Sequence, residues 1–113
     1  MKPVYLGWKT KRGIEESFRL KQGELTGINI LFASCNDNGD TGEVAFVLYE
    51  KDGHLYEVHG AHCSCYGFEG QWEPEATNIT YLREWVKKGE PHYTFRDEFK
   101  QFIRDYNSYC KLK

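Results

Sequence analysis

No part of this chain stays apolar for the roughly 18 residues that a bilayer crossing requires. Its opening holds a few basic residues (Lys2, Lys9, Lys11, Arg12) with no apolar stretch behind them. Neither a spanning helix nor a secretory leader is therefore expected, and the protein reads as cytoplasmic. No sign of charge dominates either: 15 Lys and Arg stand against 17 Asp and Glu, a net charge of -2. A basic nucleic-acid face is absent from that balance, so nucleic acid is not expected as a direct ligand. Four cysteines (Cys35, Cys63, Cys65, Cys110) without a leader are expected as reduced thiols or metal ligands, not as a disulfide framework.

What the chain does have is aromatic mass. Seven Phe, eight Tyr and three Trp in 113 residues belong to a packed globule whose core is dominated by rings. Residues 1–113 are too few for a second core and read as one domain. A chain of this size buries roughly 65% of its unfolded surface, enough to fold without a metal or a disulfide.

Pro3, Gly7 and Gly13 punctuate an irregular or strand-like opening. Ile14 and Phe18, four apart, suit a short helix, and residues 27–35 (GINILFASC) form an apolar, β-branched strand. The clearest element is the hairpin EVAFVLYEKDGHLYEVHG, closed at Asp52-Gly53, a pair suited to a type I′ turn. That turn sets Glu50 opposite Leu55, Leu48 opposite Glu57 and Phe46 opposite His59, with Val47 and Tyr49 meeting Val58 and Tyr56 on the other face. The second face is wholly apolar, whereas the first carries Glu57 and His59 among hydrophobics and is either partly exposed or functionally lined.

Pro74 opens a helix whose stripe is Ile79, Leu82, Trp85 and Val86, ending at Gly89. Thr94 with Asp97 starts a last helix in which Phe95, Phe99, Phe102, Ile103, Tyr106 and Cys110 recur at helical spacing. The resulting class is α+β: a three-stranded antiparallel sheet with two C-terminal helices and a short N-terminal helix against one sheet face.

Between hairpin and helices lies HGAHCSCY, in which His59, His62, Cys63 and Cys65 offer the donor types of a zinc site. The spacing argues otherwise. Adjacent His62 and Cys63 do not readily turn to one ion, and a full shell would need Cys35 or Cys110. Cys63 or Cys65 activated by a histidine would make a nucleophile, but no hydrolase or redox flanking pattern accompanies them. Buried turn residues are the plainest account of the cluster. The loop that follows, YGFEGQWEPE, places Tyr66, Phe68, Trp72, Glu69 and Glu73 together, a mixture typical of interface anchors, although Trp72 serves equally well as a plug between sheet and helix.

The run EVHGAHCSCYGFEGQWEPE, preceded by GINILFAS and the hairpin VLYEKDGHLYEV, resembles a family of small proteins encoded by tailed bacteriophages and prophages. The resemblance covers about residues 15 to 86 and rests on the HCSCYG and QWEPE pair. No activity attaches to that family, so no catalytic residue carries over. It implies a phage accessory protein made inside a bacterial cell. The expectation is therefore a binding protein, not an enzyme, which inhibits a host protein such as a CRISPR-type defence component. Its expected contacts are Tyr66, Phe68, Glu69, Trp72, Glu73 and Glu57, its partner a host or phage protein, and no cofactor is required. The alternative is a zinc- or thiol-dependent enzyme, or a zinc-stabilised nucleic-acid module, built on residues 59 to 65.

Overall fold

The computed structural model describes residues 3–37, 43–62, 68, 70–88 and 96–111. In chain order these form β1 (Val4–Leu6), α1 (Lys11–Ser17), β2 (Asn29–Asp37), β3 (Glu43–Lys51), β4 (His54–His62), β5 (Glu75–Thr77), α2 (Ile79–Lys87) and α3 (Arg96–Lys111). The fold is α+β, and the sheet runs β1-β2-β3-β4-β5. β1 lies parallel to β2, and every other pair is antiparallel.

The hairpin forms as its residues dictate. Asp52 and Gly53 both adopt positive φ, 55° and 82°, and this left-handed pair matches the twist of the flanking strands. The register pairs Glu50 with Leu55, Leu48 with Glu57, Phe46 with His59, Val47 with Val58 and Tyr49 with Tyr56. Tyr49 and Tyr56 stack with centroids 5.3 Å apart.

The sheet has five strands where three were expected, because a short strand was added at each edge. β1 and β5 are three residues each, too short for a two-residue period to declare itself. Pro74 does not open a helix: it precedes β5, and α2 begins at Ile79 behind Asn78, whose Oδ1 accepts the Tyr81 N–H at 2.8 Å. That cap satisfies one of the first-turn donors that a helix cannot pair internally. Thr94, Phe95 and the Cys110 side chain lie outside the described residues, while Phe99, Phe102, Ile103 and Tyr106 are buried along α3.

Both faces of the sheet are covered, not one. Trp8, Ile14, Phe18, Leu25, Ile28 and Phe68 pack with Ile30, Ala33, Val47, Tyr49 and Val58 on one face. Leu82 of α2 and Phe99, Phe102, Ile103 and Tyr106 of α3 pack with Leu31, Phe32, Phe46 and Leu48 on the other. A bulge in β2 serves this division: pairing passes from Ile30 opposite Tyr49 to Phe32 opposite Leu48, so Leu31 is supernumerary and joins Phe32 in the helix-side core. Phe18, Phe32, Phe46, Phe68, Phe99 and Phe102 are all fully buried, each contributing about 1.5–3 kcal/mol of transfer free energy.

The N-terminal layer is held by one buried carboxylate. Glu15 accepts the Leu25 N–H at 3.0 Å, and the Arg12 guanidinium stands 3.6 Å away. The backbone amides of Leu25 and Gly23 hold its pKa below the ordinary 4.5, against the opposing effect of burial and with help from Arg12. Trp8 completes this layer by donating its indole N–H to Ser17 Oγ at 2.8 Å.

Candidate functional site

Strand alternation sends every second side chain of β4 toward α2 and α3. Glu57 and His59 occupy two such positions, opposite Leu48 and Phe46. The His59 ring sits against Phe46 at 5.1 Å and meets Trp85 of α2 edge-on at 5.9 Å. Its Nε2 lies 2.9 Å from Glu57 Oε1. Two aromatic walls and a carboxylate thus fix the imidazole, which remains about one third exposed at 34% of its side chain.

Glu57 is far more enclosed, at 6% exposure. One carboxylate oxygen is engaged by His59, and the other, Oε2, is buried with no hydrogen-bond partner among the described residues. Thr77 Oγ1 is in the same condition. Both residues line a cleft of about 210 Å³ completed by Glu75, Ala76, Asn78 and Tyr81. Glu75 faces Glu57 in the β4–β5 register, so two carboxylates share this wall. A second cleft, about 260 Å³, is lined by Val44, His59, Gly60, Ala61 and Gln71. The Glu57–His59 pair therefore gives one member to each cleft.

Phe68 and Trp72 of the aromatic loop pack inward, as the plug reading of Trp72 has it. Phe68 is 2% exposed and stacks on Phe18 with centroids 5.1 Å apart. Trp72, half-buried, meets Phe18 edge-on at 5.1 Å and lies parallel over Tyr49 at 5.9 Å. Gln71 Oε1 accepts the Ala61 N–H at 2.8 Å and ties the loop to β4. These rings close the α1-side core, while Glu57 lies on the opposite face, so Phe68 and Trp72 do not share a surface with Glu57. Glu73 is exposed just before β5. Tyr66 and Glu69 lie outside the described residues.

Of the candidate metal ligands, only His59 has a described side chain; Cys63 and Cys65 fall outside the described residues, and His62 is described as the end of β4 only. Among the described residues no three His, Cys, Asp or Glu converge as an ion site. Cys35 packs on the α1-side core, across the sheet from His59.

Thr77, Asn78 and Tyr81 were not singled out from the sequence as site residues. The available signal was Asn78 as a helix cap, which moves the helix start from Pro74 to Ile79 and frees Glu75–Thr77 from the helix. Tyr81 is conspicuous in three dimensions as a large ring left 53% exposed.

No protein-family model matches the chain, and neither the curated proteins nor the solved structures compared with it include a match. Among the described residues no helix is long and apolar enough to cross a membrane. The site must accordingly be read from its own chemistry: an open acidic cleft at the sheet edge with one buried carboxylate, able to accept hydrogen bonds and to hold positive charge.

Proposed function

We propose that this chain acts by binding a protein partner, as a phage-encoded inhibitor of a host protein such as a CRISPR-type defence component. The resemblance of the HCSCYG and QWEPE segments to phage proteins supplies the setting. The observation that carries the binding half is the buried Oε2 of Glu57, without a hydrogen-bond partner among the described residues, on a residue lining a cleft beside the terminal strand β5. An unpaired buried acceptor is costly to stability, and its retention is understandable where a partner supplies the donor. The exposed carboxylates of Glu73 and Glu75 extend the same acidic character along the edge, where they favour encounter with a basic surface.

The test is capture from a host lysate followed by assay of the captured protein. The wild-type chain is expected to retain one dominant protein and to inhibit its activity. The Glu73→Lys, Glu75→Lys double variant, which alters only exposed side chains, is expected to keep its melting temperature and lose both effects. An identical capture list and undiminished inhibition by the variant would remove this reading.

A further inference from the structure

The acidic cleft has a specific unmet requirement. Glu57 Oε2 and Thr77 Oγ1 are buried, lack hydrogen-bond partners among the described residues, and belong to residues lining the same cleft. A carboxylate oxygen only accepts, and a hydroxyl accepts as readily as it donates. What satisfies them must bring N–H or O–H donors and press aside the atoms that now cover them, since neither oxygen has appreciable accessible surface.

Charge narrows the choice. Glu57 and Glu75 contribute two carboxylates to the walls. The N-terminus of α2 opposes them with about half a positive charge, and one of its amides, Tyr81 N–H, already donates to Asn78 Oδ1. His59 occupies only Oε1 of Glu57, so acceptor oxygens of two carboxyl groups remain in excess in these walls and a cationic donor suits them better than a neutral one. Calcium, which takes six to eight oxygen ligands, finds few side-chain oxygens here, those of Glu57, Glu75, Thr77 and Asn78. Size fits a small organic cation: the cleft of about 210 Å³ is many times the roughly 10–15 Å³ that a single water requires, and holds an ammonium or guanidinium head with part of its stem. Tyr81, exposed and lining the same cleft, offers a ring face to the charge or to the methylenes behind it.

We propose that this cleft receives a cationic N–H donor, an ammonium or guanidinium group, with Glu57 as its principal anchor, Thr77 and Glu75 as supporting acceptors and Tyr81 as an aromatic wall. The inference rests on the binding reading above and names the chemistry that a partner would present. A lysine or arginine side chain on a segment beside β5 and a free small amine share that chemistry.

Amide chemical shifts of the full chain would be followed during titration with n-butylammonium, with a capped Gly-Lys-Gly peptide, with its Nε-acetyl-lysine counterpart and with calcium. Saturable shifts at Thr77 and Tyr81 are expected with the first two, and the acetylated peptide should leave them unmoved. Tighter binding of the peptide than of butylammonium would assign the site to a side chain, and equal binding to a free amine. Glu57→Gln should weaken binding about tenfold or more, the loss typical of a charged hydrogen bond. Thr77→Val should weaken it less, and provides the comparison should Glu57→Gln fail to fold. An equal response to the acetylated peptide, a stronger one to calcium, or no saturable shift would overturn the proposal. Loss of the cation response with lysate capture intact would overturn the cleft inference alone. The reverse pattern would leave the cleft standing and remove the inhibitor reading.

Discussion

Glu57 Oε1 and His59 Nε2 meet at 2.9 Å across two positions of one strand face. The contact leaves the other Glu57 oxygen buried and unpartnered among the described residues. Stability and recognition pull against each other at such a carboxylate, because the group that would best receive a ligand is poorly satisfied without one.

Replacing Glu57 by leucine should therefore stabilise the fold. The variant removes a buried oxygen unpaired among the described residues, an arrangement that costs about 1–3 kcal/mol, and puts an apolar side chain beside Leu48. His59 loses its acceptor but is exposed enough to bond to water. A net gain of about 1 kcal/mol is expected for Glu57→Leu, read as a higher urea midpoint with an unchanged slope. A lower midpoint would mean that Oε2 is satisfied in the free protein.

Trp72→Ala should be costly, contrary to the expectation for an exposed contact residue. The indole fills the space between Phe18 and Tyr49, and truncating a fully buried Trp typically costs about 3–5 kcal/mol. Half-burial reduces this to about 2 kcal/mol, measurable by urea unfolding. A variant with unchanged stability would restore Trp72 to the surface.

The parts of the fold that were legible were those with repetition. Nine-residue strands β3 and β4 repeat their two-residue period several times, and the Asp52-Gly53 turn then leaves a single register. α3 is similarly plain over Phe99, Phe102, Ile103 and Tyr106. β1 and β5 contain barely one period, and Pro74 misdirected the reading of β5 because proline is as suited to a helix start as to a strand approach. Glu57 was legible as a carboxylate breaking an apolar alternation. Its cleft was not, since Thr77 and Tyr81 reach it only once β5 pairs with β4. Trp72 reads equally well as an anchor or a plug, and only the position of Phe18 decides between them.

Gly60 is a packing position. A Cβ there would lie 2.9 Å from Phe68 Cδ1 and 3.4 Å from both Gln71 Oε1 and Phe18 Cε1. Gly60→Ala must push the Phe68 ring off Phe18, at a cost of about 1–3 kcal/mol. Adding Phe68→Leu should recover part of that loss, and a double-mutant cycle by urea unfolding measures the coupling. Strict additivity would show that the two residues do not touch.

Acid sensitivity should trace in part to Glu15. Its pKa is depressed chiefly by the Leu25 amide and next by the Gly23 amide. The ionised form is thus favoured by folding, so its contribution is complete above the ordinary 4.5 and is lost as pH falls below it through the depressed native value. Glu15→Gln should destabilise clearly at about pH 7 and much less at about pH 3, flattening the acid limb of the stability profile. An equal loss at both values would show that the carboxylate's charge is immaterial to the Leu25 loop.

Zinc content separates the remaining roles of residues 59 to 65. A closed zinc shell takes four ligands, and adjacent His62 and Cys63 do not readily serve one ion, so a site containing His59 needs a further ligand from elsewhere, of which a thiol is the one tested by Cys35. Cys35 cannot supply it, because it packs against the α1-side core while His59 lies between Phe46 and Trp85 across the sheet. Protein purified without a histidine tag is expected to carry less than about 0.1 equivalent of zinc, unchanged in Cys35→Ala. A full equivalent insensitive to Cys35 would assign the ion to ligands that exclude it and revive the zinc-dependent reading. A full equivalent lost with Cys35 would require the two sheet faces to exchange partners, and would contradict the strand register itself.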